Sequence, residues 1–201
     1  MIAQRELPRL RKLYQETVAP AVMEKFALRN VHQLPRMVKI VINCGVGRYL
    51  ENQKLKPEVR DTVAETLSVI TGQRPITIMA KKSVSNFKVR AGAPSALMVT
   101  LHGDRMWHFL DRLINLAIPR IRDFRGLKDT AFDPGGSYSM GLVEQAVWPE
   151  INMANVSLTH GMNINIVFEK SNPQMSTFVL AQLGMPFVRP EQGVGAVCPT
   201  A

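Results

Sequence analysis

The sequence predicts one globular domain built from both strands and helices. Three observations carry this. The chain has 201 residues, 46% of them hydrophobic and 20% charged, a length and balance that support one sizeable core. Short β-branched apolar runs stand beside longer segments whose apolar residues recur at helical spacing. There is no internal repeat and no Pro/Gly/Ser-rich linker to divide them.

Taken in order, Leu10, Leu13, Tyr14, Val18, Ala21 and Val22 recur as one helix face, with Pro20 a bend or break. Met37 to Val46, MVKIVINCGV, reads as a buried strand leaving through Gly45 and Gly47, with Asn43 its polar exception. Pro57 is a good first helical residue, and Val59, Val63, Leu67 and Ile70 carry that helix to a stop at Gly72. Ile76 to Met79 and Ala96 to Leu101 read as paired strands joined by a long basic hairpin loop. Asp104 is expected to cap the next helix, whose stripe of Met106, Phe109, Leu110, Leu113 and Ala117 runs to Pro119. Arg105, His108, Arg112 and Asn115 share its opposite face, either a basic binding surface or a solvated one. Asp133 to Ser139, DPGGSYS, is a turn-rich loop. Leu142 to Trp148 and Met162 to Phe168 are expected as strands, and Asn172 with Pro173 opens a last helix reaching Gly184. Residues 1–189 are expected to form the domain and residues 190–201 a loose tail.

Charge narrows the function. The formal net charge is +9, which points to a polyanionic partner, nucleic acid first and an anionic membrane second. It is unevenly placed: residues 74–125 hold 10 Lys+Arg against 3 Asp+Glu, net +7, while residues 126–201 hold 3 against 6, net −3. The densest stretch is Ala80 to Pro94, AKKSVSNFKVRAGAP, where Lys81, Lys82, Lys88 and Arg90 stand among Ser83, Ser85 and Asn86 with no acid. Its few apolar groups cannot offset the entropy of ordering it alone. It reads either as an arm whose donors meet phosphate and sugar, with Phe87 free to stack, or as a solvated loop.

Enzymatic chemistry lacks a signature. There is no phosphate-binding G-x-x-x-x-G-K-[ST] loop, no H-E-x-x-H and no G-x-S-x-G. Asp104, His108 and Asp111 share a helix face and could approach a metal, but Arg105 and Arg112 beside them disfavour a cation, so no metal or other cofactor is expected. Only Cys44 and Cys198 are present, which suits a reducing compartment and a cytoplasmic protein. No membrane span or signal peptide is expected. Asn43, Gln73 and Thr100 sit in or beside strands, where they either read sugar hydroxyls from a sheet face or satisfy neighbouring backbone.

Longer stretches are more specific. MVKIVINCGVG, ITGQRPITIMAKKSVSNFKVRAGAP, VTLHGDRMWHFLDRLINLAIPRIRDFRG, FDPGGSYSMGLVEQAVWPEI, GMNINIVF and LGMPF run in order between residues 37 and 187, within a resemblance that covers roughly residues 5–187. Through them the chain resembles the 5S rRNA-binding family of the large ribosomal subunit, ribosomal protein five in the bacterial scheme. The resemblance implies an α+β fold, an antiparallel sheet with helices packed on one face and RNA on the other. It implies a non-enzymatic role in translation, holding 5S rRNA in the central protuberance through Asn43, Gln73 and Thr100, with Arg74 and His102 beside them. It implies that Lys81, Lys82, Ser83, Asn86, Phe87, Lys88 and Arg90 approach peptidyl-site tRNA. A bridge to a small-subunit head protein is placed at Asp133, Gly135, Gly136 and Tyr138, with large-subunit rRNA and neighbouring central-protuberance proteins as further partners. His102 departs from an expected Arg, and the tail after Phe187 exceeds the usual family ending.

Overall fold

Strands with alternating apolar residues assemble into one antiparallel sheet in the computed structural model, which describes residues 7–51, 54–87, 89–151 and 158–188. They are β1 (Arg36–Gly45), β4 (Ile76–Met79), β5 (Pro94–Leu101), β6 (Tyr138–Leu142) and β7 (Met162–Glu169); β2 (Leu50–Glu51) and β3 (Lys54–Leu55) pair apart as a small ribbon. The order is β4-β5-β1-β7-β6, so the longest strand lies at the centre. Period-two alternation decides which side each residue takes. Ile40, Ile42 and Cys44 of β1, Leu97, Val99 and Leu101 of β5, and Ile164 and Ile166 of β7 are all buried on one face.

Helices cover that face. They are α1 (Arg9–Leu13), α2 (Ala19–Lys25), α3 (Pro57–Thr71), α4 (Gly103–Arg112) and α5 (Pro173–Gln182). α3 packs on β5, α4 on β1, α1 on α4 and α2 on α5. α3 begins at Pro57, buries Val63, Leu67 and Ile70, and ends at Gly72 with φ +67°. The two prolines of the longer helices act alike. A π-helical turn at Tyr14–Val18 precedes Pro20, and another at Leu113–Ala117 precedes Pro119. Proline cannot donate to the carbonyl four residues back and crowds it, and the wider turn accommodates the missing bond without ending the helix. Pro20 is thus a bend, and α4 continues beyond Pro119 as a 3-10 turn over Ile118–Arg120.

Two expectations need correction. The strand expected at Leu142 to Trp148 lies upstream, at Tyr138–Leu142; beyond it the chain makes a 3-10 turn at Gln145–Val147. The apolar residues there serve the core, with Trp148 fully buried 5.2 Å from Phe109. Asp104 does not cap α4: His102 holds the N-cap position, and Asp104, inside the first turn, pairs with Arg11 at 2.9 Å. On the far face of α4, Arg105 and His108 are exposed while the other two residues are engaged. Arg112 bonds Glu150 at 2.5 Å and the Ile70 carbonyl at 2.7 Å, and Asn115 donates to Asp111. The tail at 190–201 lies outside the described residues.

Candidate nucleic-acid interface

Among the described residues no helix lies on the other face of the sheet, and the residues of that face follow from the strand register. One cross-strand row runs Thr100, Val41, Asn165, Ser139; the next runs Met98, Asn43, Asn163, Gly141. Ile76 of β4 extends the second row at its apolar end. Neither row holds a charged residue. Asn43, Thr100 and Asn165 are half-buried, while Asn163 and Ser139 are exposed. Together with Val41, Met98 and Gly141, the residues Asn43, Asn163, Asn165 and Ser139 line a shallow concavity.

The expected trio falls together here. Asn43 and Thr100 are diagonal neighbours across β1 and β5, since Asn43 faces Met98 and Thr100 faces Val41; such pairs lie about 7–8 Å apart. Gln73, between α3 and β4, donates from Nε2 to the Thr100 carbonyl at 3.3 Å. Its amide therefore serves the backbone at the rim, and Arg74 stands beside it in the chain. His102 is exposed at the end of β5, its Nδ1 3.3 Å from the Val38 carbonyl. Asn163, Asn165 and Ser139 are missed by sequence reasoning. Their signal is the alternation of MNINIVF, whose apolar half marks a strand and whose amide half goes unused.

The segment from Ala80 to Ala93 joins β4 to β5. Ala80 donates to the Ala93 carbonyl at 2.8 Å, and Val84 and Val89 exchange backbone bonds of 2.9 and 3.2 Å. The pairs Met79/Pro94 and Val84/Val89 keep the same offset, so the loop's stem continues the β4–β5 pairing. Backbone bonds thus supply what its sparse apolar side chains do not. Ser83 accepts from the Ala91 amide at 2.9 Å; Lys81, Lys82, Asn86 and Arg90 are exposed. Phe87 belongs to a 3-10 turn, and Lys88 lies outside the described residues.

The turn before β6 is tightly specified. Asp133 accepts from the Ser137 amide at 2.6 Å through Oδ1, and the Gly136 amide donates to the Asp133 carbonyl at 2.9 Å. Gly135 is exposed, while Gly136 is buried at φ +78°, where a Cβ would stand 2.7 Å from Ser176 Oγ. Tyr138 is buried, with its hydroxyl donating to the Lys128 carbonyl at 3.2 Å. Burial, then the charge of Asp129, pushes that hydroxyl's pKa up to about 12. Tyr138 therefore anchors the turn while Asp133 and Gly135 present it.

Elsewhere the acids of α4 are spoken for. Asp104 pairs with Arg11, and Asp111 with Arg9 at 2.5 Å, which removes the carboxylates a metal would need. Among the described residues no group of three metal-ligating side chains converges, and no helix is long and apolar enough to cross a membrane.

Comparison with known families completes the description. A model of ribosomal protein L5 matches residues 30–90, and a model of the C-terminus of the same ribosomal family matches residues 94–187. Both describe ribosomal proteins, and the two stretches share one sheet, since β1 and β4 come from the first and β5, β6 and β7 from the second. The large ribosomal subunit protein uL5 of Chloroflexus aurantiacus is 49% identical over 180 residues, 89% of this chain and 97% of that protein. The uL5 proteins of Microcystis aeruginosa and Carboxydothermus hydrogenoformans are 46% and 45% identical, covering 89% and 91% of this chain and 98% and 100% of those proteins. The chain belongs to the uL5 family of large-subunit ribosomal proteins. It is a structural, non-enzymatic component of the large subunit that works in translation on the cytoplasmic ribosome.

Proposed function

We propose that the chain binds 5S rRNA across its uncovered sheet face, in the central protuberance of the large subunit. The observation that carries this is the centre of that face: broad and shallow, with two uncharged cross-strand rows lined by amides and hydroxyls around Asn43 and Thr100. Double-stranded RNA offers a wide, shallow minor groove with 2′-hydroxyls, which suits such a surface. Gln73 would support the platform from its rim, and Arg74 and His102 would meet flanking phosphates. The histidine makes a weaker contact than an arginine would, since an imidazole lacks the forked set of donors that a guanidinium presents to a phosphate. Residues 1–189 act as one binding unit on this reading, with residues 190–201 appended.

The basic loop is assigned to peptidyl-site tRNA. Lys81, Lys82, Ser83, Asn86, Phe87, Lys88 and Arg90 supply cations and donors beyond the sheet edge, where a second RNA could approach without displacing the first. Asp133 to Tyr138 would meet the small-subunit head protein, and the remaining basic surface large-subunit rRNA and neighbouring proteins.

Filter binding of 5S rRNA and a length-matched DNA duplex across a salt series tests the sheet assignment. Preference for 5S rRNA at every salt concentration is expected; equal affinity for both would sink it. For the loop, Lys81→Ala with Lys82→Ala is expected to leave 5S affinity within about twofold while weakening peptidyl-site tRNA retention on reconstituted subunits, since it removes two phosphate partners. Loss of 5S binding instead would mean that the loop has been assigned to the wrong RNA.

A further inference from the structure

Asparagine is disfavoured in strands, yet three occupy neighbouring positions on two adjacent inner strands of this sheet, β1 and β7. Asn43 on β1 lies directly across from Asn163 on β7, and Asn165 lies across from Ser139 on β6. The side chains of Asn43, Asn163, Asn165 and Ser139 make no hydrogen bond to any other described residue. Serving neither cap nor turn nor ladder, they leave both amide hydrogens and the carbonyl of each asparagine available. The strip is also kept open. Asn163 neighbours Gly141, where a Cβ would come 3.4 Å from Asn163 Oδ1, so glycine leaves room for the amide to move. Val41 and Met98 complete the floor on the side of β1 and β5.

Neutral amides cannot release counterions, so their contribution to binding is nearly independent of salt. They can donate to and accept from a ribose 2′-hydroxyl, the group that separates RNA from DNA. We propose that Asn163, Asn165 and Ser139, with Asn43, read ribose 2′-hydroxyls of an A-form RNA segment laid across the sheet. They thereby set the preference for RNA over DNA, while basic residues at the periphery set the salt-dependent affinity. This rests on the reading of the uncovered face as the RNA surface.

The test compares wild type with Asn163→Ala/Asn165→Ala, measuring binding of 5S rRNA and of the same sequence as DNA over a salt series. Losing two hydrogen bonds lowers RNA affinity about tenfold or more, with DNA binding and the RNA salt slope unchanged. Asn163→Val/Asn165→Val, which favours strand conformation while removing the same donors, keeps the comparison valid if the alanine variant fails to fold. Wild-type RNA preference retained in either folded variant overturns the proposal, as does a parallel loss of RNA and DNA binding. A wild type without RNA preference overturns the reading of the face itself, a result visible before any variant is made.

Discussion

His160 lies beneath the sheet at the start of β7, only 3% exposed, with Nδ1 3.2 Å from Cys44 Sγ. Its backbone amide donates to Gln145 Oε1 at 2.7 Å, and its Nε2 has no hydrogen-bond partner among the described residues. Burial lowers its pKa below 6.5, partly offset by a backbone hydrogen bond at Gly161, and burial alone pushes the Cys44 thiol up to about 11. The pair is therefore a neutral packing contact. The unfolded chain binds a proton at His160 more readily than the folded one, so its contribution to stability is full above pH 6.5 and falls as pH drops below it. The loss reaches at most about 1.4 kcal/mol per pH unit until the folded-state pKa is passed. Urea midpoints of wild type and His160→Gln between pH 7.5 and 5 check this: the wild type is expected to lose more stability over that range. Parallel curves would show that His160 does not carry the effect.

Elements are most legible where a backbone requirement coincides with a residue choice. α3 is readable from Pro57 and Gly72 because one starts a helix without needing its missing amide and the other ends it in a left-handed conformation. Gly72→Ala, at φ +67° with open space around its Cβ, is expected to cost about 1 kcal/mol from backbone strain alone. Chemical denaturation would measure it, and an unchanged midpoint would show that the helix end can readjust. β1 is legible within a residue at either end because its β-branched apolar run is bounded by turn residues. β6 escapes a reading by pattern because its YSMGL carries glycine and serine, while the apolar run through Trp148 fills the core without being a strand. The cap of α4 is misread for a different reason: the attraction between Asp104 and Arg11 depends on α1 lying against α4, a contact absent from local sequence. The amide strip is illegible because an asparagine in a strand marks only an irregularity until the register sets another beside it.

At the scale of the molecule, the helices protect one face of the sheet, and among the described residues the other face and an edge are left bare. β4 is that edge, and its Ile76 and Met79 are 56% and 54% exposed. Charged residues commonly guard such edges against pairing with another chain; β4 itself, ITIM, has none. Light scattering of the free protein is expected to show self-association that 5S rRNA suppresses. Met79→Lys, substituted at an exposed position, is expected to reduce scattering while changing stability by no more than about 0.5 kcal/mol. Scattering unaffected by either would clear the edge of blame. If RNA shields this side of the sheet, the edge ties the chain's solubility to its supply. On that reading, protein made ahead of RNA carries an unfinished surface, and its uncharged edge strand draws copies of the chain together until RNA covers it.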